Sequence, residues 1–425
     1  MNLAFATRAL RARNYKLFFT GQGISLIGTW MTRIAMSWLA YRLTGSAAVL
    51  GVVGFASQIP AFVLGPFAGV WVDRWDRHRT IVVTQILSMI QSLALAALAL
   101  AHIITVWEII ALALMQGLIN AFDMPARQAF VIQMVDRRAD VANAIALNSS
   151  MVNSARLVGP AIAGVVVAAV GEGYCFLIDG LSYIAVIVSL LMMRITVPQV
   201  RQPQRHIALE LMEGWHYAMG SVPIRSILLN LSIVGFFGVP YTVLMPIFAS
   251  KILHGGPNTL GFLMASTGVG ALAGAFLLAL RKSVIGLVRH IVLTTALFGA
   301  ALIVFALSHW LWLSLLVLPL AGYGMMQQMA SSNTILQTIV HDEKRGRVMA
   351  FYHMAFMGMA PFGSLLAGGM AARFGAPATI VVSGMACLLG SAWFAARLPT
   401  IRRIVRPIYV ELGIIPEAVA EEPLL

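Results

Sequence analysis

The sequence predicts an all-α polytopic membrane protein with twelve transmembrane helices. Of its 425 residues, 60% are hydrophobic and only 11% are charged, and the mean hydropathy is +0.86. A soluble globular domain carries roughly 25% charged residues. Apolar runs close to the roughly 20 residues that a membrane-spanning helix needs follow one another along the chain. They cover residues 16–42, 47–72, 80–101, 106–127, 145–170, 174–193, 224–249, 258–280, 287–308, 310–335, 348–372 and 377–398.

Basic residues give the predicted orientation in the membrane. The formal net charge is +13, and in a membrane protein such an excess collects in cytoplasmic loops. The loops on the side of the N-terminus hold Arg74, Arg77, Arg79, Arg137, Arg138, Arg194, Arg201, Arg205, Arg281, Lys282, Arg289, Lys344, Arg345 and Arg347. The opposite loops hold only Arg42, Lys251 and Arg373. We therefore expect both termini in the cytoplasm, no cleavable signal peptide and no binding of nucleic acid.

The twelve runs divide into two sets of six. Gly69 and Gly117 each have a glycine at one shared offset in the second half, Gly274 and Gly322, which indicates an internal duplication. The predicted domains are residues 1–195, a cytoplasmic linker with an amphipathic helix at 196–222, residues 223–398, and a cytoplasmic tail at 399–425. The tail carries Arg402, Arg403 and Arg406 and ends in "EAVAEEPLL", which has no core pattern, so we expect it to be poorly ordered.

Polar residues inside the apolar runs predict a water-filled substrate site. Gln22, Ser25, Thr29, Arg33 and Ser37 form one stripe along the first helix. Hydrogen bonds between helices would explain single serines and threonines, but not two arginines and several amides. The predicted substrate-binding residues are Arg156, Arg33, Gln22, Thr29, Asn153, Gln116, Asn120, Gln327, Gln328 and Asn333.

Depth in the membrane decides which acids could neutralise the arginines. At 1.5 Å of rise per residue, Arg33 lies about 6 Å outward of its helix centre and Asp179 about 7 Å outward of its own. An ion pair between them is one alternative, and a substrate contact of Arg33 is the other. Asp123 is expected to pair with Arg127, four residues later. Arg156 has no acid at comparable depth, which makes it the better candidate for receiving an anionic substrate.

The loop "GVWVDRWDRHRT", residues 69–80, resembles the signature between the second and third helices of the major facilitator superfamily. Residues 121–131, 142–164 and 342–369 resemble the branch that includes the enterobactin exporter and macrolide efflux proteins. The resemblance implies two pseudo-symmetric six-helix bundles and a cytoplasmic charge network that breaks when they rock. The conformational-switch residues implied by it are Gly69, Asp73, Arg74, Arg77, Asp123, Arg127 and Arg345.

The predicted function is export of an organic, anionic solute, siderophore-like or a drug, by alternating access and proton antiport. The proton-coupling candidates are Asp179, Asp123 and Glu108. The alternatives are uptake of such a solute, a lysophospholipid flippase, and a non-transporting sensor or scaffold. The chain has no P-loop, no HExxH motif and no cysteine with a plausible base, so we expect neither an enzyme nor a cofactor. "GVGALAG", residues 268–274, predicts close helix packing rather than a nucleotide site. We expect a monomer in the bacterial inner membrane.

Overall fold

The structure is a computed structural model that describes residues 7–195, 207–281 and 283–415. Within them, the side chains of Pro66, Gly69, Val70, Asp73, Arg138 and residues 207–211 lie outside the description. The first six long helices are α1 (Arg13–Thr44), α2 (Ala47–Arg74), α3 (Arg77–Leu100), α4 (Val106–Met134), α5 (Val141–Val170) and α6 (Glu172–Leu191). A shorter helix, α7 (Ile207–Gly220), follows them.

Six further long helices complete the chain. They are α8 (Val222–Ile252), α9 (Pro257–Ala279), α10 (Leu287–Leu307), α11 (Leu311–Ile339), α12 (Asp342–Phe374) and α13 (Ala376–Glu411). One π-helical turn, Val234–Gly238, interrupts α8, a second, Phe248–Ile252, ends it, and a third, Met354–Gly358, interrupts α12. Together with the first six, these helices give each predicted span a counterpart, and the described residues contain no strand.

Ten of the helices in the described part of the chain are long and apolar enough to cross a membrane. The other two, α1 and α11, have 32 and 29 residues, which is also enough to span it. Both helices carry polar residues between their apolar ones. These are two of the helices on which the sequence predicts substrate contacts.

The helix pairs repeat between the two halves. In the first half, α3 packs against α4 and α6, and in the second half α10 packs against α11 and α13. Gly171, before α6, has a φ of 97°, and Gly375, before α13, has a φ of 84°. Both angles lie in the region that favours glycine. The same backbone turn therefore joins the fifth and sixth spans of each half, in agreement with the predicted duplication.

Small residues let the helices approach closely, as is usual where lipid rather than water surrounds them. A Cβ atom on Gly270 would lie 1.8 Å from the carbonyl oxygen of Pro319, and one on Gly268 would lie 3.0 Å from the Cα of Leu157. The predicted close packing around "GVGALAG" is confirmed by these contacts.

The chain divides into two compact units. Unit 1 comprises residues 1–203 and 243–268, and unit 2 comprises residues 204–242 and 269–425. The domain boundaries at residues 195, 222 and 398 stay predictions.

The expectation of a poorly ordered tail after residue 398 is wrong as far as Glu411. Helix α13 continues through Pro399 and Pro407 to Glu411. Ile401, Val405 and Tyr409, spaced by four residues, are buried along one face. This apolar stripe keeps the helix packed on unit 2 after it has passed the predicted membrane boundary. Residues 416–425 lie outside the description.

Candidate functional site

Two arginines of unit 1 meet on one tryptophan. The guanidinium carbon of Arg33, on α1, lies 4.7 Å from the centroid of the Trp30 ring, and that of Arg156, on α5, lies 5.1 Å from it. The two carbons are therefore within about 10 Å of each other. An indole face attracts a cation by roughly 0.5–2 kcal/mol, so Trp30 holds both charges at one place on the unit.

The approach of α1 to α5 depends on Gly159. A Cβ atom at this position would lie 2.5 Å from Cβ of Trp30 and 3.0 Å from the carbonyl oxygen of Ile27. Gly159 is one helical turn from Arg156, so its missing side chain allows the backbone contact that brings Arg156 to the indole. We call Arg33, Trp30 and Arg156 the arginine–tryptophan site.

The site is positively charged. By surface area the side chain of Arg33 is exposed and those of Arg156 and Trp30 are half-buried, and the two charges repel each other. At an effective dielectric constant of about 20, two unit charges at the upper limit of about 10 Å repel by roughly 1.7 kcal/mol, and more strongly at shorter distances. An anion between them would remove this repulsion and would accept charge-assisted hydrogen bonds from both guanidinium groups.

The alternative of an Arg33–Asp179 ion pair is not realised. Asp179, on α6, is 2% exposed and accepts hydrogen bonds from Ser92 (2.9 Å) and Thr29 (3.4 Å). Thr29 also lies 3.3 Å from the Tyr183 hydroxyl. The similar depths of the two residues in the membrane suggested the pair. Asp179 contacts α1 about one turn before Arg33, beside Gly28. No cation pairs with Asp179 among the residues described.

Asp123 and Arg127 form the predicted ion pair on α4. Asp123 also accepts hydrogen bonds of 2.8 Å from Thr84 and from Gln85, both on α3. Its carboxylate is thus held by three donors and is 6% exposed. This arrangement connects α3 to α4 and occupies both carboxylate oxygens.

Glu108 caps a helix instead of lying buried in a span. Its carboxylate accepts a hydrogen bond of 2.8 Å from the backbone N–H of Thr105, and it also contacts the Thr105 hydroxyl. This is the capping geometry of a helix start, in which the acid at N3 satisfies a free N–H group. We therefore leave Glu108 out of the proton-coupling candidates.

The other predicted polar residues of unit 1 differ in accessibility. Gln22 is 3% exposed, whereas Thr29, Gln116, Asn120 and Asn153 are half-buried. Gln116 donates to Asn120 at 3.2 Å, and Asn153 donates to the Ser149 carbonyl of its own helix at 2.9 Å. Their contact with a substrate stays a prediction.

In unit 2 the three predicted amide side chains of α11 are either hydrogen-bonded within the protein or fully buried. Gln327 donates to the carbonyl of Gly274 at 2.8 Å, and its oxygen lies 3.0 Å from Nε2 of His290. Both ends are occupied and the side chain is 2% exposed, so we leave Gln327 out of the proposed site. Gln328 is fully buried. Asn333 is half-buried and accepts from Gln337 at 2.5 Å.

The switch motif is described in part. Gly69 and Asp73 lie on α2, but the burial of Gly69 and the side chain of Asp73 are outside the description. Arg74 ends α2, and Arg77 begins α3. Asp76 is the N-cap of α3 and accepts from the backbone N–H of Arg79 at 3.1 Å, which explains an acid at this position. Arg345 pairs with Asp342 on α12.

Sequence reasoning missed the partners that define these sites. Trp30 precedes Arg33 by three residues, a spacing that places both on one helix face and that could have indicated a cation–π pair. Ser92 and Tyr183 gave no such signal, because single hydroxyl residues are common in membrane helices.

Comparison with known proteins agrees with this architecture. The chain is 26% identical over 375 residues to the staphyloferrin A transporter of Staphylococcus aureus, covering 88% of this chain and 93% of the relative. It is 25% identical over 391 residues to the multidrug efflux pump Tap of Mycolicibacterium fortuitum, with coverage of 89% and 93%. It is 24% identical over 381 residues to macrolide efflux protein A of Streptococcus pyogenes, with coverage of 87% and 93%.

Solved structures share the fold. A POT family transporter in complex with a thioalcohol-conjugated peptide superposes with a TM-score of 0.72 at 12% identity, covering 92% of this chain and 96% of that one. The sequence profile of a family described as "Transmembrane secretion effector" matches residues 4–406. The chain is therefore a multi-pass membrane transporter and belongs to the transmembrane secretion effector family of the major facilitator superfamily.

Proposed function

We propose that this transporter exports an organic anion, with the arginine–tryptophan site receiving the anionic group. The convergence of Arg33 and Arg156 on one indole supports this proposal most directly. Among the residues described, no carboxylate pairs with Arg33. A carboxylate, catecholate or phosphate on the solute supplies the missing negative charge. The staphyloferrin A transporter supports an organic cargo, and the two relatives with efflux in their names support export.

Transport by purified protein in proteoliposomes tests the role of the arginines. A carboxylated fluorophore and its uncharged methyl ester form a matched pair of probes. We expect Arg33→Gln/Arg156→Gln to lower the rate for the carboxylate by about tenfold or more, since each charged hydrogen bond contributes roughly 1.5–3 kcal/mol. Transport of the ester should change much less. Arg373→Gln, an exposed arginine on α12, is the control.

Wild-type rates for the carboxylate in the double variant would reject the anion site. Equal losses for both probes would show instead that the two arginines stabilise the protein or its motion. A thermal-unfolding measurement on each variant separates these outcomes.

The driving ion in this proposal is the proton, and Asp179 carries it. A buried carboxyl group with only hydroxyl donors gains or loses a proton without breaking an ion pair. Asp123 supports this role less well, because its protonation would leave Arg127 without its charge partner. Thr29 lies on α1, one turn before Arg33, and its hydroxyl contacts both Asp179 and the backbone of α1. Proton exchange at Asp179 thus acts on the helix that carries the anion site.

An imposed pH gradient tests the coupling. Asp179→Asn should abolish transport driven by the gradient while exchange of internal for external substrate continues. Glu108→Gln keeps a residue that suits the cap and serves as the control. Gradient-driven accumulation by Asp179→Asn at the wild-type level would exclude Asp179 as the proton carrier.

The orientation in this proposal has both termini in the cytoplasm. The basic loops on the side of the N-terminus support it. Accessibility of single cysteines introduced near Arg13 and Glu411 to an impermeant reagent would test it, because both should react only after the membrane is opened.

A further inference from the structure

Unit 2 carries a histidine at membrane depth that has no part in the arginine–tryptophan site. His353, on α12, lies about 10 Å from the centre of the apolar run at residues 348–372, at 1.5 Å of rise per residue. The hydrocarbon core extends roughly 15 Å to each side of the bilayer centre. By surface area the side chain of His353 is exposed. An exposed ionisable group at this depth is costly in lipid and is usually found beside a water-filled cavity.

Hydrogen bonding distinguishes His353 from other histidines on helices. His78, His216 and His290 each place a ring nitrogen 2.9–3.0 Å from a carbonyl oxygen. Within residues 7–195, 207–281 and 283–415, His353 forms no hydrogen bond. Its ring contacts that of Tyr352, with 5.2 Å between the centroids. A neutral imidazole has one N–H donor and one nitrogen acceptor, so both groups of His353 are available to a ligand.

The backbone around His353 is held in place on both sides. Tyr352, the preceding residue, is 4% exposed and donates a hydrogen bond of 3.0 Å to the carbonyl of Met329 on α11. The π-helical turn Met354–Gly358 begins directly after His353 and packs against the π-helical turn Val234–Gly238 of α8. Such turns are rare and frequently occur at functional sites. The histidine is therefore presented from a fixed position.

Two amides of α11 lie close to this histidine. The side chain of Asn333 is hydrogen-bonded to the Tyr352 hydroxyl and accepts from Gln337 at 2.5 Å. Asn333 is half-buried and Gln337 is exposed. Neither α11 nor the apolar run at 348–372 contains Asp, Glu, Lys or Arg. The polar groups here are thus uncharged donors and acceptors, which suit a neutral hydrogen-bonding group better than an ion.

We propose that His353 forms a hydrogen bond with a hydroxyl group of the transported solute, with Asn333 beside it. A hydroxyl both donates and accepts, and so does a neutral imidazole. The proposal rests on the transport of an organic solute proposed above, and it adds a polar contact on unit 2 to the anion contact on unit 1. A histidine that only stabilised its helix would have a partner within the protein, as His78 and His290 have.

Access of water to this position is measured on full-length protein in nanodiscs, where both membrane faces are open to reagents. His353→Cys should react with an impermeant thiol reagent, and a saturating solute probe should slow this reaction at least severalfold. The native Cys175 and Cys387 are buried, so the background is low. Leu389→Cys, at an exposed apolar position of α13, is the control and should react slowly. If His353→Cys reacts no faster than Leu389→Cys, the position faces lipid and the proposal is overturned.

The solute contact is measured by equilibrium binding, with fluorescence anisotropy as readout. The matched probes are a carboxylated fluorophore with a phenolic hydroxyl and its methyl ether. His353→Phe keeps a planar ring and removes both nitrogens, so the dissociation constant of the hydroxyl probe should rise by about three- to tenfold. That of the ether should change by less than about twofold. His353→Asn supplies a donor and an acceptor and should restore part of the affinity. His309→Phe, at an exposed histidine before α11, should bind both probes as wild type does.

The outcomes separate this proposal from the anion site. It fails if wild type does not prefer the hydroxyl probe, or if His353→Phe weakens both probes equally or neither. The anion site is tested by the carboxylate and its ester in Arg33→Gln/Arg156→Gln. Loss of discrimination between hydroxyl and ether in His353→Phe supports the histidine contact whatever the arginine variant shows. A thermal-unfolding measurement on each variant excludes loss of folded protein as the cause.

Discussion

The arginine–tryptophan site of unit 1 and the Gln327 amide of unit 2 use their polar groups in opposite ways. In unit 1, Arg33 stays exposed and shares an indole with Arg156. In unit 2, Gln327 is buried and bonded at both ends to Gly274 and His290. An amide needs one acceptor and one donor, which neighbouring helices can supply. A guanidinium also needs an opposite charge, which is why we propose the solute site at the arginines rather than at this amide.

The largest expected effect comes from removing the shared indole. Trp30→Ala takes away the surface that holds both guanidinium groups, so transport of the carboxylated fluorophore should fall by about tenfold or more. Trp30→Phe keeps an aromatic face and should retain a larger part of the rate. Trp312→Ala, at an exposed tryptophan of unit 2, is the control. Normal transport by Trp30→Ala would remove the distinction between the two units.

The next effect concerns the helix contact that forms the site. Gly159→Ala places a methyl group against Trp30 and Ile27 and forces α1 and α5 apart, which should cost about 1–3 kcal/mol of stability. Its melting temperature and its transport rate should both fall.

Gly369→Ala is the matched control, because a Cβ atom there meets nothing within 4 Å. An unchanged melting temperature in Gly159→Ala would mean that α1 and α5 are not held together at this glycine.

A smaller effect tests the structural role of the unit 2 amide. Gln327→Leu leaves His290 and the Gly274 carbonyl without their partner, so stability should fall by about 1 kcal/mol. The affinity for the carboxylated fluorophore should stay unchanged. Gln337→Leu, at a more exposed position on the same helix, should have little effect on either quantity. Loss of affinity without loss of stability would place Gln327 among the solute contacts.

The smallest effect is a pH dependence of the surface helix α7. Hydrogen bonds from Lys344 and Arg347, both on α12, hold the pKa of Glu213 below its ordinary value of 4.5. A folded-state pKa below the unfolded one means that the ion pairs stabilise docking above pH 4.5 and are lost as the pH falls through the folded pKa. The effect is small because the carboxylate is 59% exposed.

Trp215, on α7, reports on this docking because its ring centroid lies 5.8 Å from that of Phe351, on α12, in an edge-to-face arrangement. Its fluorescence should shift as the pH falls below 4.5, the ordinary pKa of Glu213, and Glu213→Gln should flatten this shift. Glu343→Gln, at an exposed acid of α12, should leave it unchanged. An identical titration in Glu213→Gln would assign the shift to another group.

The number of spans, the duplication and the Asp123–Arg127 pair could be predicted from the sequence, because each depends on hydropathy or on spacing along one helix. The partners of Asp179 could not. Rise per residue gives the depth of a side chain, but the rotation of α6 turns Asp179 toward Ser92 and Thr29. Packing between helices determines that rotation, and no local pattern encodes it.

Two other differences arise at the ends of helices. Glu108 looked like an acid in a span because the apolar run begins just before it, whereas a capping acid belongs to the first turn. The stripe of Ile401, Val405 and Tyr409 follows a proline, which usually ends a helix. Its burial against unit 2 outweighs the lost backbone hydrogen bond.

The π-helical turns of α8 and α12 bear on how the two halves of this chain should be aligned. A π-helical turn contains one residue more than an α-helical path of equal length. The turns at Val234–Gly238 and Met354–Gly358 contact each other, since a Cβ atom on Gly235 would lie 2.4 Å from the carbonyl oxygen of Phe356. Insertions and deletions therefore belong inside these spans as well as in the loops. A sequence alignment of relatives that allows gaps only in loops would shift the register by one residue beyond the π-helical turn. Each residue there would then be assigned to a position about 100° away around its helix.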